Sequence, residues 1–429
     1  MDTRPDIHPL RLCAAFALTI CLASVATAQP KAWTWPELRD RFVANNPTLR
    51  SAELSVDEAK DQEITAYLRP NPDYAFSTDG TQFLPHQGIF RPFAGTDFVN
   101  SLSYLKERGH KRQLRLGAAK ANTSVTASQR DDQERTLIFN LRTGFVSALQ
   151  AKAVLEVARE NLAYYDRTLQ VNRMRYKAGD IAQVDLDRLE LQRIQFQSDV
   201  LTAETNLRTA KIQLLMLLNE RTPVEQFDVT GTFDFRENLM GLEELRTSAL
   251  ATRPDLQAAI KSVEMARANH QLAIANGRTD LTFSGWWTHN GSFNNPQAIN
   301  TIGAGISFPL RIFDKNQGEK ARTEVDIRRN QRLEEATRAQ VFNDVDSAYV
   351  TINNNLALLR PYKSTYLALA SRVRDNVSFS YQHGGASLLD FLNAQNDYRT
   401  VQLNYVNLVG AYLTAASQLN LAVGKEVIQ

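Results

Sequence analysis

Residues Trp35–Leu68 read as helix, interrupted at Asn46-Pro47 and stopped by the Pro-Asn-Pro break at Pro70–Pro72. The period then falls to two. Over 73–83, Tyr74, Phe76 and Thr78 alternate with Ala75, Ser77 and Asp79. A turn-rich loop, 84–96, carries Pro85, Gly88, Pro92 and Gly95 and leads to 98–105, where Leu102 and Tyr104 alternate with Ser101 and Ser103. The pattern predicts a β-hairpin with one apolar and one polar face.

The same order of elements returns later in the chain. Pro47–Ser77 aligns without a gap with Pro254–Ser284, matching Pro47/Pro254, Leu49/Leu256, Ala52/Ala259, Ala59/Ala266, Asp73/Asp280 and Phe76/Phe283. A second hairpin follows. Leu281, Phe283, Gly285 and Trp287 alternate with Thr282, Ser284, Trp286 and Thr288, and Ile302, Ala304, Ile306 and Phe308 with Thr301, Gly303, Gly305 and Ser307. Trp286 falls on the polar side, so the alternation is imperfect there. Two units of about 200 residues are too long for a short-repeat solenoid and indicate a duplicated architecture.

Each hairpin leads into a very long helical stretch. From Lys111 to about Tyr176 there is no proline, and the glycines are Gly117 and Gly144; the stretch from about Gly318 to Tyr381 is broken only by Pro361. Roughly 65 residues of helix span about 100 Å, a length typical of coiled coils and helical tubes. Glycine turns at Ala178-Gly179-Asp180 and Gly384-Gly385 reverse the chain into returning helices, Gln183–Leu218 and Leu388–Val423. The predicted division is a leader over 1–28, a first helix/hairpin/helix unit over 29–220, a linker over 221–242 with Phe227, Val229, Phe233 and Phe235, and a second unit over 243–429.

Composition adds the compartment. Arg4 and Arg11 precede the apolar run Leu12–Leu22, and Ala26-Thr27-Ala28 offers a cleavage site before Gln29, the layout of a secretory signal peptide. Ile20 before Cys21 argues against lipidation. Cleavage removes Cys13 and Cys21, so the mature chain has no disulfide framework and no thiolate metal site. No run of 18 apolar residues follows, which leaves a β-barrel as the route into a membrane. Four strands cannot close one, since the smallest single-chain barrels use about eight. Three copies would supply twelve strands and close the cylinder by symmetry. With 49 basic against 47 acidic residues there is no electrostatic case for nucleic acid. Lys111, Arg112 and Arg115, just after a strand, are expected to meet lipid phosphate or to form a solvated helix start.

The chain resembles the TolC-like outer-membrane efflux factors over essentially its whole mature length. The carrying segments are Asn46-Pro-Thr-Leu49 and Arg253-Pro-Asp-Leu256, Tyr176-Lys-Ala-Gly179 and Tyr381-Gln-His-Gly384, and Asp390-Phe-Leu-Asn-Ala-Gln395 with Gln402-Leu-Asn-Tyr405. Glu107–Arg112 and Phe308–Gly318 look like the strand-to-helix corners of the subgroup serving cobalt–zinc–cadmium type efflux pumps. The resemblance implies a mostly α protein with a small β part: a homotrimer with a twelve-stranded β-barrel in outer-membrane lipid and a long α-helical barrel in the periplasm. Its implied partners are a periplasmic adaptor (membrane fusion) protein and an inner-membrane proton-driven transporter. Its implied cargo is metal cations or small toxic compounds.

The resemblance also assigns roles to the turns. Tyr176, Gly179 and Asp180, with Tyr381, Gly384 and Gly385, would form the periplasmic tips that dock the adaptor. Asp390 would face the tube axis as one member of a carboxylate ring, with Asp185 nearby. The relatives' second aspartate is Asn393 here, and an arginine that helps lock some relatives shut is Ala386, while Tyr381 keeps the tyrosine of the closed state. A plain helical turn, and a helix N-terminal carboxylate at Asp390, are the structural alternatives. Trp286, Trp287, Tyr104 and Phe308 are candidates for an aromatic girdle. His86, His110, His270, His289 and His383 are scattered without metal-ligand spacing, and no catalytic constellation or cofactor fingerprint stands out, so no enzyme, cofactor or resident metal is expected. Other readings are a type I secretion duct and a trimeric coiled-coil surface protein.

Overall fold

A computed structural model describes residues 31–290 and 299–428. The leader, both cysteines and the centre of the second hairpin loop lie outside the described residues. The first half runs β1 (Lys31–Trp33), α1 (Trp35–Asn45), α2 (Pro47–Tyr67), β2 (Asp73–Asp79), β3 (Asp97–Lys106), α3 (Lys111–Ala178) and α4 (Gln183–Leu217). β4 (Phe227–Val229) lies in the linker. The second half runs α5 (Leu242–Thr252), α6 (Pro254–Asn276), β5 (Leu281–Asn290), β6 (Asn300–Ser307), α7 (Gln317–Pro361), α8 (Leu367–Gln382) and α9 (Leu388–Val423).

The duplication extends to backbone conformation. Left-handed residues fall at corresponding points of the halves: His110 and Asn316 before α3 and α7, Gly179 and Gly384 at the turns, Asn219 and Gly424 after α4 and α9. One difference stands out. α3 runs unbroken for 68 residues, about 100 Å. Its counterpart breaks after Pro361, which lacks an amide donor, and passes through one π turn, Tyr362–Tyr366, before α8. Lys363 Nζ, 2.7 Å from Asp234, fastens that bend to the linker.

The four strands form one antiparallel sheet in the order β2-β3-β5-β6, so the two hairpins join across the halves through β3 and β5. The register sorts side chains cleanly. Tyr74, Leu102, Gly285 and Ala304 lie in one row and Phe76, Asn100, Trp287 and Ile302 in another. Asp73, Ser103, Ser284 and Gly305 share the opposite face. Tyr74, Phe76, Leu102, Ile302 and Ile306 are each more than half exposed, so one chain leaves an apolar sheet face bare, with β2 and β6 as open edges.

Three expectations about this region need correction. β2 ends at Asp79 and not near 83, because Gly80 turns the chain in the left-handed region and Asp79 accepts from its N–H at 2.8 Å. Trp286 is not a girdle partner of Trp287. It lies on the polar face, over the glycines of β6, and a Cβ at Gly303 would sit 2.3 Å from its ring. The basic cluster after β3 is internal. Lys111 is buried, donating to Asp280 at 2.6 Å and to the Arg278 carbonyl at 2.8 Å. Arg115 pairs with Glu107 and donates to the Ala66 and Leu68 carbonyls, and Arg112 stacks on Tyr67. These cations bind the start of α3 to the end of α2 and the start of β5, and the buried Lys111 is closed to lipid phosphate.

Below the sheet, α2, α3, α6 and α7 pack side by side; beyond their midpoint, α4 and α9 pack with α3. In the lower part of α3 the buried positions Leu141, Phe145, Ala148, Leu155, Ala158, Asn161, Tyr165, Thr168 and Asn172 recur at steps of three, four and seven. That is the seam of a coiled coil. The larger cores belt the midpoint. Leu38 and Phe42 of α1 pack with Phe145 and with Phe227 and Val229 of β4. Phe235 packs with Tyr412, Val341 and Leu419 on the other side. The parallel β1–β4 pair completes the belt, a pairing the linker's alternation alone did not reveal.

Candidate functional site

The far ends of the α3/α4 and α8/α9 hairpins lie together over one small core. Each turn is built by a left-handed glycine, φ 85° at Gly179 and 77° at Gly384, a conformation in which a Cβ would be strained. In both turns the next N–H reaches back five residues, Asp180 to the Arg175 carbonyl at 2.9 Å and Gly385 to the Ser380 carbonyl at 2.7 Å. Beneath them, Tyr165, Leu169, Leu186, Leu189, Phe196, Tyr381 and Phe391 pack together. Tyr165 packs against Phe196 with ring centres 4.8 Å apart and planes tilted by 32°, and donates to the Leu189 carbonyl; burial pushes its phenol well above the ordinary value.

The two repeat-related tyrosines part company. Tyr176 is exposed on the rim, whereas Tyr381 is buried, stacked on Phe391 at 5.0 Å and 20°. The Tyr381 hydroxyl donates to Oδ1 of Asn172 at 3.1 Å, and Asn172, 1% exposed, donates in turn to the Thr168 carbonyl. Arg175 covers the ring at 5.5 Å. Burial raises the Tyr381 phenol, with Arg175 opposing and Asp185 reinforcing that shift. This hydrogen bond ties α8 to α3 at the tip, beside a longer one from Arg175 Nη1 to the Tyr381 carbonyl at 3.5 Å and one from Tyr164 to Ser378 at 3.1 Å. Asn172, Arg175 and Phe391 escaped the sequence reading; only Asn172, one helical turn before Tyr176, carried a readable signal.

Asp390 is exposed at the third position of α9 in a capping box. Its Oδ2 accepts from Ser387 Oγ at 2.7 Å and Ser387 N at 3.2 Å, and the Ser387 contacts hold the carboxylate below its ordinary value. Its Oδ1 has no hydrogen bond among the described residues. Asn393 is exposed one turn on, and Asp185 is half-buried, 4.0 Å from Arg188 of its own helix. Asp180, Gly384 and Gly385 are exposed. His383 stacks on Phe379 at 4.1 Å, and its Nδ1 lies 2.8 Å from that residue's carbonyl. Among the described residues no group of three potential ligands could hold a metal, and no helix is long and apolar enough to cross a membrane.

This arrangement has known relatives. Residues 38–220 and 245–425 match the outer membrane efflux protein family. The chain belongs to that family. It is 23% identical over 384 residues to the cobalt-zinc-cadmium resistance protein CzcC of Cupriavidus metallidurans, covering 89% of this chain and 87% of CzcC. It is 24% identical over 404 residues to the outer membrane protein TolC of Escherichia coli, covering 89% and 80%. Among solved structures, the CusC channel superposes with a TM-score of 0.76 at 18% identity, covering 91% of this chain and 92% of that one.

Membership settles the architecture that the single chain leaves open. Three copies close the sheet into a twelve-stranded barrel in the outer membrane, and the long helices continue it as a tube into the periplasm. In such a barrel the exposed apolar face of each sheet is the one suited to lipid, and the opposite face, with Trp286, the one suited to the interior. The protein is an outer-membrane channel of tripartite efflux systems, in which such trimers work with an adaptor and an inner-membrane pump.

Proposed function

We propose that this channel is the exit duct for metal cations or small toxic compounds, and that its periplasmic rim both docks the adaptor and gates the tube. The observation that carries the proposal is the paired tip. Two glycine turns of one design end side by side, and beneath them a polar link, Tyr381 to Asn172, holds α8 against α3. Such a link is cheap enough to break when a partner binds. Tyr176, Gly179, Asp180, Gly384 and Gly385 form the docking rim, and Tyr381 is the latch beneath it. Asp390 keeps one carboxylate oxygen uncommitted at the rim. Three copies with Asn393 and Asp185 would set a moderately cation-attracting mouth.

Similarity to a cobalt-zinc-cadmium resistance protein and to the CusC channel supports metals as cargo. A duct for larger secreted cargo is the second reading, favoured by Asn393, which is uncharged and thins the ring, and by similarity to a toxin and drug export protein of Aggregatibacter actinomycetemcomitans. Deleting the channel and challenging cells in parallel with divalent metals, aromatic solvents and antibiotics tests the proposal. Sensitisation to metals or to the small compounds is expected. Unchanged sensitivity to all of them, with loss of a secreted protein, would overturn it.

A further inference from the structure

A cavity of about 310 Å³ opens at the belt, where the end of α9 meets the start of α6 and α1 packs on α3. It lies within one chain and far from the tips. Its apolar wall is Ile138, Phe139 and Leu421, and its polar groups include Trp35, Arg142 and Lys425. The Arg142 guanidinium lies 4.5 Å from the centre of the Trp35 ring, and burial, opposed by Glu426, lowers its affinity for its proton. Three carboxylates share the lining: Asp131 and Glu134 pair with Arg130, at 2.8 Å and 3.0 Å, while Glu426, 3.9 Å from Arg39, also bears on Arg142. The indole Nε1 of Trp35 is buried with no acceptor among the described residues.

These observations converge on one kind of ligand. A guanidinium stacked on an indole keeps its in-plane N–H fork free, and that fork matches a carboxylate. A buried indole N–H demands an acceptor. The cavity volume is at the small end of ligand pockets, and its wall accepts an apolar body. We propose that this belt cavity binds a carboxylate carried on an apolar body of about amino-acid size, gripped by Arg142 and Trp35. Bound there, the ligand bridges α1, α3 and the α9–α6 junction.

The test uses the full-length trimer in detergent, titrated calorimetrically with N-acetylphenylalanine and with its neutral amide. The acid should saturate at one per chain and the amide should bind at least about tenfold more weakly, as expected for loss of a charge-assisted contact. Arg142→Gln should weaken the acid by about tenfold or more and Arg142→Lys by less, because lysine keeps charge without the fork. Should the glutamine variant fail to assemble, Trp35→Phe keeps a stacking ring and deletes the N–H, and a loss of about threefold to tenfold is expected. Equal binding of acid and amide, no saturable binding, or indifference to these substitutions overturns the proposal.

Discussion

Replacing Tyr381 by phenylalanine isolates the latch at the tip. The ring keeps its stack on Phe391, and only the hydroxyl is lost. Asn172 is 1% exposed, so its Oδ1 loses its donor in a place closed to water. The net cost of such a loss is about 1 kcal/mol, rising toward about 3 kcal/mol if no water enters. If the tip opens as proposed, with α8 leaving α3, Asn172 meets solvent and the cost falls on the closed form alone. About 1 kcal/mol in each of three copies opening together is about 3 kcal/mol, roughly a hundredfold shift toward the open state. Single-channel conductance in planar bilayers reads this as a larger open fraction or higher mean conductance for Tyr381→Phe. Adding Tyr381→Phe to an Asn172→Leu background should then change little, because the partner is already gone. An unchanged conductance, or an undiminished effect in that background, would refute the latch.

Other parts of the chain make equally definite predictions. Lys111→Met strands the Asp280 carboxylate and should cost about 3–5 kcal/mol, seen as a large fall in trimer melting temperature, and Asp280→Asn in the same chain should recover part of it. Gly303→Val drives a side chain into the Trp286 ring, so the barrel should fail to assemble in the outer membrane, and Trp286→Ala in the same chain should restore it in part. At the belt, burial raises Asp255, but Arg253 and Arg135 outweigh it and leave the carboxyl below its ordinary value. Its stabilisation is therefore present above about pH 4 and lost as pH falls through the lowered native value. Melting of the wild-type trimer should drop over that range, whereas Asp255→Asn should start lower at neutral pH and fall less.

Much of this fold was legible because its signals are local. A change of period from 3.6 to two marks the hairpins, proline at the first turn marks α2 and α6, and glycine marks the reversals. The duplicated order then makes each half a check on the other. What stayed hidden depends on partners distant in sequence. Trp286 looked misplaced until the glycines of β6 lay beneath it. Lys111 looked like a surface cation until Asp280, far along the chain, took it. Tyr176 and Tyr381 both read as docking residues of the tips, with the resemblance adding a closed-state role for Tyr381, and packing against Asn172 and Phe391 then buries it beneath the rim. The capping box from Ser387 to Asp390 was readable as a local pattern, but the same spacing does not say which way the free oxygen faces.

The short β1–β4 pair bears on how the molecule is made. Lys31–Trp33 lie parallel to Phe227–Val229, so this segment finds its place only beside residues nearly two hundred positions further on. A chain delivered to the periplasm amino end first must hold that segment unattached until the whole first unit has emerged. Closing so wide a loop is slow compared with winding the helices themselves. The join is therefore a late event in the folding of one chain.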